Sequence, residues 1–241
     1  MKLFDLDSPL MQGLTKFANL MLLNFLTIIF CIPVFTAGAA ITALHYVVLK
    51  MVRDEDCYII KDYFKSFKTN FKQGTILWLI SLVAIAVLGA DFYILRNMES
   101  ATYVKVLQVI ITVIALFVLF TLTFLFPTLA KFDNPTLRTI RNALTISILQ
   151  FPKTILMIIL NAVPIVIILA SVRLLPFVFF FGFSAPAYAG AFLYSKFFKR
   201  LEDQILAANE ENNAGEEETS EDERIFHDEL DPSLSADDTV K

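Results

Sequence analysis

The stretch that decides the fold is TILWLISLVAIAVLGADFYIL, which occupies Thr75–Leu95. It holds one charged residue, Asp91, in 21 positions. About 20 consecutive apolar residues are enough for an α-helix to cross the roughly 30 Å hydrocarbon core of a membrane. The stretch therefore predicts a transmembrane helix.

Five further stretches share this character, and with the first they predict an all-α, polytopic bundle of six transmembrane helices. The composition agrees, because 56% of the residues are hydrophobic and the mean hydropathy is +0.64. The five stretches are Phe17–Phe35, Ala37–Val52, Tyr103–Phe126, Thr154–Val172 and Leu174–Tyr194.

Ala37–Val52 is the shortest of the six stretches. From Gly38 to Val52 it has 15 residues, which extend about 22 Å as an α-helix and fall short of the hydrocarbon thickness. Pro33, Thr36 and Gly38 predict a tight reversal before it, because proline lacks an N–H donor and glycine adopts unusual dihedral angles. The protein has six spans if this helix crosses the membrane, and five if it enters and returns.

Lysine and arginine predict the orientation, because short cytoplasmic loops of membrane proteins are enriched in these residues. With six spans and the distal tail left aside, 15 basic residues lie on the side of the termini. The opposite side has three, namely Arg96, Lys105 and Arg173. We therefore expect a multi-pass protein of the cell membrane with both termini in the cytoplasm.

The charge also divides the chain into two parts. Residues 1–200 carry 18 basic and 9 acidic residues, a net charge of +9. Residues 201–241 carry 2 basic and 15 acidic residues, a net charge of −13. We predict a transmembrane helical domain over 1–200 and an acidic cytoplasmic tail over 201–241, which is disordered because it has few apolar residues to offset the entropy of ordering.

Tyr58–Gln73 is predicted to form an amphipathic helix at the cytoplasmic membrane surface. Apolar residues recur at helical spacing on one face, and lysines recur on the other. The apolar residues are Ile60, Tyr63, Phe64, Phe67 and Phe71, and the lysine face consists of Lys61, Lys65, Lys68 and Lys72. Such a helix suits a bilayer with anionic lipid, where each ammonium contributes about 1 kcal/mol. The alternative is that the lysine face docks a cytoplasmic protein partner.

Leu137–Leu149 has a second, weaker amphipathic pattern, in which Leu137, Ile140, Leu144 and Ile148 share one face. Each of the two segments leads into a span through similar residues, NFKQGTIL at 70–77 and QFPKTIL at 150–156. Duplicated hairpins are common in transporters, although a similarity this short also arises by chance. Nucleic acid is not an expected partner, because an aromatic face opposite the lysines is better explained by membrane contact.

Four polar side chains at membrane depth are candidates for a functional site, because burying them there is costly. They are Asn24, His45, Asp91 and Asn161. Asp91 either binds a cation or proton, or reaches the interface and pairs with Arg96 or Arg173. For the two asparagines, hydrogen bonding between helices is the simpler interpretation.

The sequence has no pattern that indicates an enzyme, a metal site or a cofactor. It contains only two histidines and two separated cysteines, which do not have the spacing of a metal site. It also lacks a phosphate-binding glycine loop and a nucleophile elbow. We therefore expect a protein without catalytic activity.

Several motifs occur in a fixed order along the chain. They are NLM at 19–21, CIPVFTAGAAITAL at 31–44, FKSFKTNF at 64–71, FPTLAKFDN at 126–134 and GFS at 182–184. In these motifs, over roughly residues 3–200, the chain resembles the YesL-like family of bacterial membrane proteins of unknown function.

The resemblance implies an integral protein of the cytoplasmic membrane that is associated with carbohydrate uptake, with no catalytic residues to transfer. It points to an accessory or regulatory role, with a carbohydrate ABC transporter or its regulators as the partner. A small transporter or channel is the alternative, which the intramembrane polar residues and the suspected repeat support.

Overall fold

The structure, a computed structural model, describes residues 9–98 and 102–228. Within them the chain is almost entirely helical and contains no strand. The helices are α1 (Pro9–Cys31), α2 (Ala37–Val52), α3 (Ile59–Asn97), α4 (Thr102–Lys131), α5 (Thr136–Leu149), α6 (Phe151–Ala170), α7 (Leu175–Phe181) and α8 (Ser184–Asp228). Short 3-10 turns at Val34–Thr36 and Val172–Leu174 precede α2 and α7.

The predicted fold class, an all-α polytopic bundle, is confirmed. Five helical segments among the described residues are long and apolar enough to cross a membrane, namely α1, the 3-10 turn with α2, α3, α4 and α6. The sixth predicted span, Leu174–Tyr194, is a bent pair: α7 and α8 meet at 50° and count as one crossing only together.

The helix α2 lies at the centre of the bundle. Of the 18 most apolar consecutive residues in this candidate span, 72% are buried, whereas the corresponding share is 11–28% in the other four candidate spans. It packs against α1, α3 and α4. Its 16 residues extend about 24 Å, and because neighbouring helices cover it, it does not depend on matching the full hydrocarbon thickness.

Two glycines bring α2 and α3 into backbone contact. A Cβ atom on Gly38 would overlap the carbonyl oxygen of Gly74 and lie 2.6 Å from the Cβ of Trp78. Such close approach of small residues is how transmembrane helices gain packing energy without a hydrophobic driving force.

The chain breaks between α1 and α2 at Pro33 and Thr36, whereas Gly38, which was predicted to be part of the reversal, lies inside α2 and has no positive φ angle. The hydroxyl of Thr36 donates to the carbonyl oxygens of Phe30 and Pro33, and the Thr36 N–H also bonds the Pro33 carbonyl. The first span is therefore shorter than predicted at its end, because α1 stops at Cys31 and Phe35 belongs to the turn.

The structure differs from the prediction at Tyr58–Gln73. This segment is not a separate surface helix but the first half of α3, which runs without a break through 39 residues. Gly74 does not interrupt it, because this glycine serves close packing against α2. The aromatic face turns partly inward, where Phe30 of α1 contacts the rings of Tyr63, Phe64 and Phe67.

The helix α5 covers the predicted amphipathic segment Leu137–Leu149, but it does not bury the predicted apolar face. The residues it buries are Thr139, Ala143, Ile146 and Ser147. Leu137 remains 80% exposed and Ile148 49% exposed. Three of these four side chains, all but Ile146, are small and let α5 pack closely on α4.

The chain divides into two units, Met1–Ser195 and Lys196–Lys241. In the second unit, predicted to be disordered from residue 201, α8 continues to Asp228. Good helix formers such as Glu, Ala, Leu and Gln make up much of this stretch, which also contains residues that favour a helix less, namely Gly215, three asparagines, Thr219 and Ser220. Residues 229–241 lie outside the described part of the chain.

Candidate functional site

Asn24 holds the break between α7 and α8. Its side chain is fully buried. Its amide nitrogen donates to the Phe179 carbonyl at 2.7 Å, and its amide oxygen accepts the N–H groups of Phe183 and Ser184 at 2.8 and 2.9 Å. A helix break exposes backbone groups that find no water in a membrane, and each unsatisfied group costs several kcal/mol. Asn24 of α1 therefore stabilises the break between α7 and α8.

His45 pairs with a tyrosine of α8. Its Nδ1 lies 3.2 Å from the hydroxyl of Tyr194, which is completely buried. Either group donates, depending on the histidine tautomer. One residue further along α8, the guanidinium of Arg53 donates to the side chain and the carbonyl of Ser195 at 3.4 Å. These contacts tie α2 to the start of α8.

A cavity of about 410 Å³ lies between α2, α4, α6 and the bent pair. His45 and Asn161 both line it, so the structure brings two of the four predicted intramembrane polar residues to one space. The other lining residues are mostly apolar, including Leu44, Phe126 and Ile165. The cavity can therefore accept a largely apolar ligand or chain with one or two polar contacts.

Asp91 lies apart from this cavity, near the end of α3. It is partly exposed and forms no ion pair with Arg96 or Arg173. No group of three or more His, Cys, Asp or Glu side chains within residues 9–98 and 102–228 is placed to hold a metal ion.

The lysine face is fully presented to the exterior. Lys61, Lys65, Lys68 and Lys72 are all exposed along the first half of α3. The aromatic residues on the other side of the helix contact one another and Phe30 instead. This face is therefore available to an anionic surface.

A polar cluster that sequence reasoning missed joins α2 to α3. Lys50 Nζ donates to Asp62 Oδ2 at 2.9 Å, and the N–H of Tyr58 donates to the same oxygen at 3.0 Å. Both side chains of the ion pair are largely buried, and breaking such a pair leaves a buried charge without a partner. The available signal was that Asp62 is the one acidic residue in Tyr58–Gln73.

Cys57 lies in the connection beside this cluster. Partial burial, followed by the nearby carboxylate of Asp62, raises the pKa of its thiol to about 11. At neutral pH the group is therefore a protonated thiol with little reactivity as a nucleophile. Tyr194 and Ser195 were missed as well, because only the tertiary fold brings them to His45 and Arg53.

The comparison with family models finds one similarity. Residues 18–92 match the model of a family described as a protein of unknown function, DUF624. No curated protein and no solved structure gives a match to the chain. The matched residues contain Asn24, His45, Asp91 and the lysine face, whereas Asn161 and Tyr194 lie beyond them. The similarity thus covers α1 from Ala18, the reversal, α2 and most of α3 of a membrane protein.

Proposed function

We propose that this protein is an accessory or regulatory component of carbohydrate uptake in the cytoplasmic membrane of a bacterium, with both termini in the cytoplasm. The resemblance to YesL-like proteins supports this role, since most of its motifs fall in or near the matched residues 18–92. The proposed partners are a carbohydrate ABC transporter or its regulators. The proposal includes no enzymatic step.

One observation carries the accessory role: buried polar groups at membrane depth are used to hold helices together. Asn24 satisfies three backbone groups at the helix break, and His45 bonds Tyr194. A transporter needs such groups for its substrate or coupling ion. The exposed lysine face is the surface we propose for a partner or for anionic lipid.

A transporter or channel remains the second candidate, and two observations favour it. The cavity of about 410 Å³ brings His45 and Asn161 together at membrane depth. In addition, α3 and the pair α5 and α6 each combine an amphipathic segment with a following span, which resembles the duplicated hairpins of transporters.

Reconstitution separates the two candidates. Purified protein in liposomes is assayed for movement of sugars and ions, alone and with the membrane subunits of a sugar ABC transporter. The accessory role predicts no flux with the protein alone and a changed rate when both are present. Flux of a sugar or ion by the protein alone would contradict the accessory role.

A variant sharpens the comparison. Asn161 lines the cavity and lies on an exposed part of α6, so Asn161→Leu removes its amide without breaking a hydrogen bond among the described residues. The accessory role predicts that this variant supports uptake in cells as well as the wild type does. Loss of uptake at normal protein level would favour the transporter.

A further inference from the structure

Two spaces lie next to each other along the pair α3 and α4. The polar cleft, of about 220 Å³, is lined by Tyr46, Lys65, Ser66, Thr69, Asn70 and Gln73 and by the segment 129–133. The apolar groove, of about 330 Å³, is lined by α3, α4 and α5, with Leu77, Ala84, Phe117, Leu125, Ile140 and Leu144 among its residues.

The two spaces follow one continuous face of each helix. On α3, Gln73 lines the polar cleft and Leu77 lines the apolar groove. On α4, Leu129 lines the polar cleft and Leu125 the apolar groove. Residues four apart lie on the same side of a helix, about 6 Å apart along its axis. The face therefore changes from polar to apolar within one helical turn on both helices.

The polar end carries groups that bind an anion. Lys65 and Lys131 line the cleft with one acid, Asp133, so its charged side chains sum to +1. Hydroxyl groups of Ser66 and Thr69 stand beside Lys65, one turn or less along α3.

The junction between the two spaces is held in place by a glutamine. Gln73 Nε2 donates to the Asn134 carbonyl at 2.6 Å and to the Thr139 hydroxyl at 3.2 Å. These bonds hold the start of α5 against α3, and α5 supplies Ile140 and Leu144 to the apolar groove. The apolar groove is thus built from packed helices, and the polar cleft is completed by Phe132 and Asp133 of the short connection between α4 and α5, which Gln73 holds in place.

An anion site continuous with an apolar groove at membrane depth matches an amphiphile. We propose that this face holds one anionic phospholipid of the cytoplasmic leaflet, with its phosphate in the polar cleft at Lys65 and an acyl chain along the apolar groove. The site rests on the proposed orientation only for the choice of leaflet. Binding to purified protein does not depend on that orientation or on a role in sugar uptake.

Lipid binding by purified full-length protein tests this, for example by native mass spectrometry from detergent. The probes are phosphatidylglycerol and phosphatidylcholine with the same acyl chains. Lys65→Gln should weaken phosphatidylglycerol binding about fivefold, the contribution of one ammonium, and leave phosphatidylcholine binding unchanged. The matched control is Lys68→Gln, which removes the same charge from the lysine face outside the cleft and should have no effect.

The apolar end is tested by filling it. Ala84→Phe places a ring in the groove and should lower the affinity for both lipids severalfold, because the acyl chain loses van der Waals contacts with the helices. Ala86→Phe adds the same ring to an exposed position of α3 that does not line the groove, and it should leave binding unchanged. Thermal unfolding of each variant in detergent shows whether the fold is retained.

Three results would overturn the proposal. Equal weakening by Lys65→Gln and Lys68→Gln would show attraction to surface charge without a site. Equal binding of the two lipids would remove the anion-binding role of the cleft. If glycerol phosphate bound as tightly as phosphatidylglycerol and Ala84→Phe had no effect, the site would be one for a soluble phosphate.

Discussion

Replacing Gly38 by alanine should destabilise the bundle more than any other glycine-to-alanine change in α1, α2 or α3. A Cβ there would overlap the Gly74 carbonyl oxygen and lie 2.6 Å from the Trp78 Cβ. These two atoms are a backbone oxygen and a Cβ atom, so a side-chain rotation moves neither of them. The helices α2 and α3 must move apart, and the central helix loses packing on its most extensive partner.

The size of the effect follows from overpacking. Inserting a methyl group into a closely packed interface costs typically 1–3 kcal/mol, which for a chain of this size lowers the unfolding temperature by roughly 2–12 °C. Gly74→Ala should cost less, because its Cβ would lie 3.0 Å from the Ala39 nitrogen, at the tight edge of normal contact. Thermal unfolding in a mild detergent measures both.

The matched control is Gly89→Ala on α3. A Cβ at Gly89 meets nothing within 4 Å, and alanine is the better helix former by about 0.5–1 kcal/mol. Its unfolding temperature should be equal to or above that of the wild type. If Gly38→Ala and Gly89→Ala unfolded at the same temperature, the backbone contact between α2 and α3 would be refuted.

Three further predictions concern the polar groups. Asn24→Ala should lower the free energy of unfolding by about 2–5 kcal/mol, because three backbone groups at the helix break lose their hydrogen-bond partner. A loss under about 1 kcal/mol would contradict the stabilising role of Asn24. Tyr194→Phe should cost about 1–2 kcal/mol because His45 is left buried without a hydrogen bond, whereas Tyr93→Phe, at an exposed side chain, should cost nothing measurable. In a variant that retains only Cys57, alkylation at pH 8 should be about a hundredfold slower in the folded protein than in denatured protein, because a pKa of about 11 lowers the thiolate fraction. The rate should rise about tenfold per pH unit up to pH 10, and a plateau near pH 9 would show an ordinary thiol.

The transmembrane helices could be predicted from the sequence because the prediction depends only on the length of a run of consecutive apolar residues. The reversal at Pro33 and Thr36 was also predictable, since it depends on the dihedral limits and side-chain bonds of those residues. The sequence did not show that Tyr58–Gln73 and the third span form one continuous helix. The role of Gly74 in close packing becomes visible only with the partner helix α2 in place.

The candidate site was predictable in its residues but not in its arrangement. His45 and Asn161 were noticed because polar groups at membrane depth are rare, yet their common cavity depends on how α2 and α6 pack. Tyr194 has no local signal, because tyrosine is common at the ends of transmembrane helices. The bend at Gly182 and Phe183 was missed because its stabilising group, Asn24, lies on another helix.

We propose that the bundle crosses the membrane six times and that its lysine- and arginine-rich surfaces lie in the cytoplasm, and reporter fusions measure this topology directly. A reporter joined after residue 16, 98 or 200 is assayed for activity on either side of the membrane in cells. We predict cytoplasmic signals at residues 16 and 200 and an external signal at residue 98, as the excess of lysine and arginine requires. An external signal at residue 16 alone would indicate five crossings, and an external signal at residue 200 would contradict the orientation and with it the place of the lysine face.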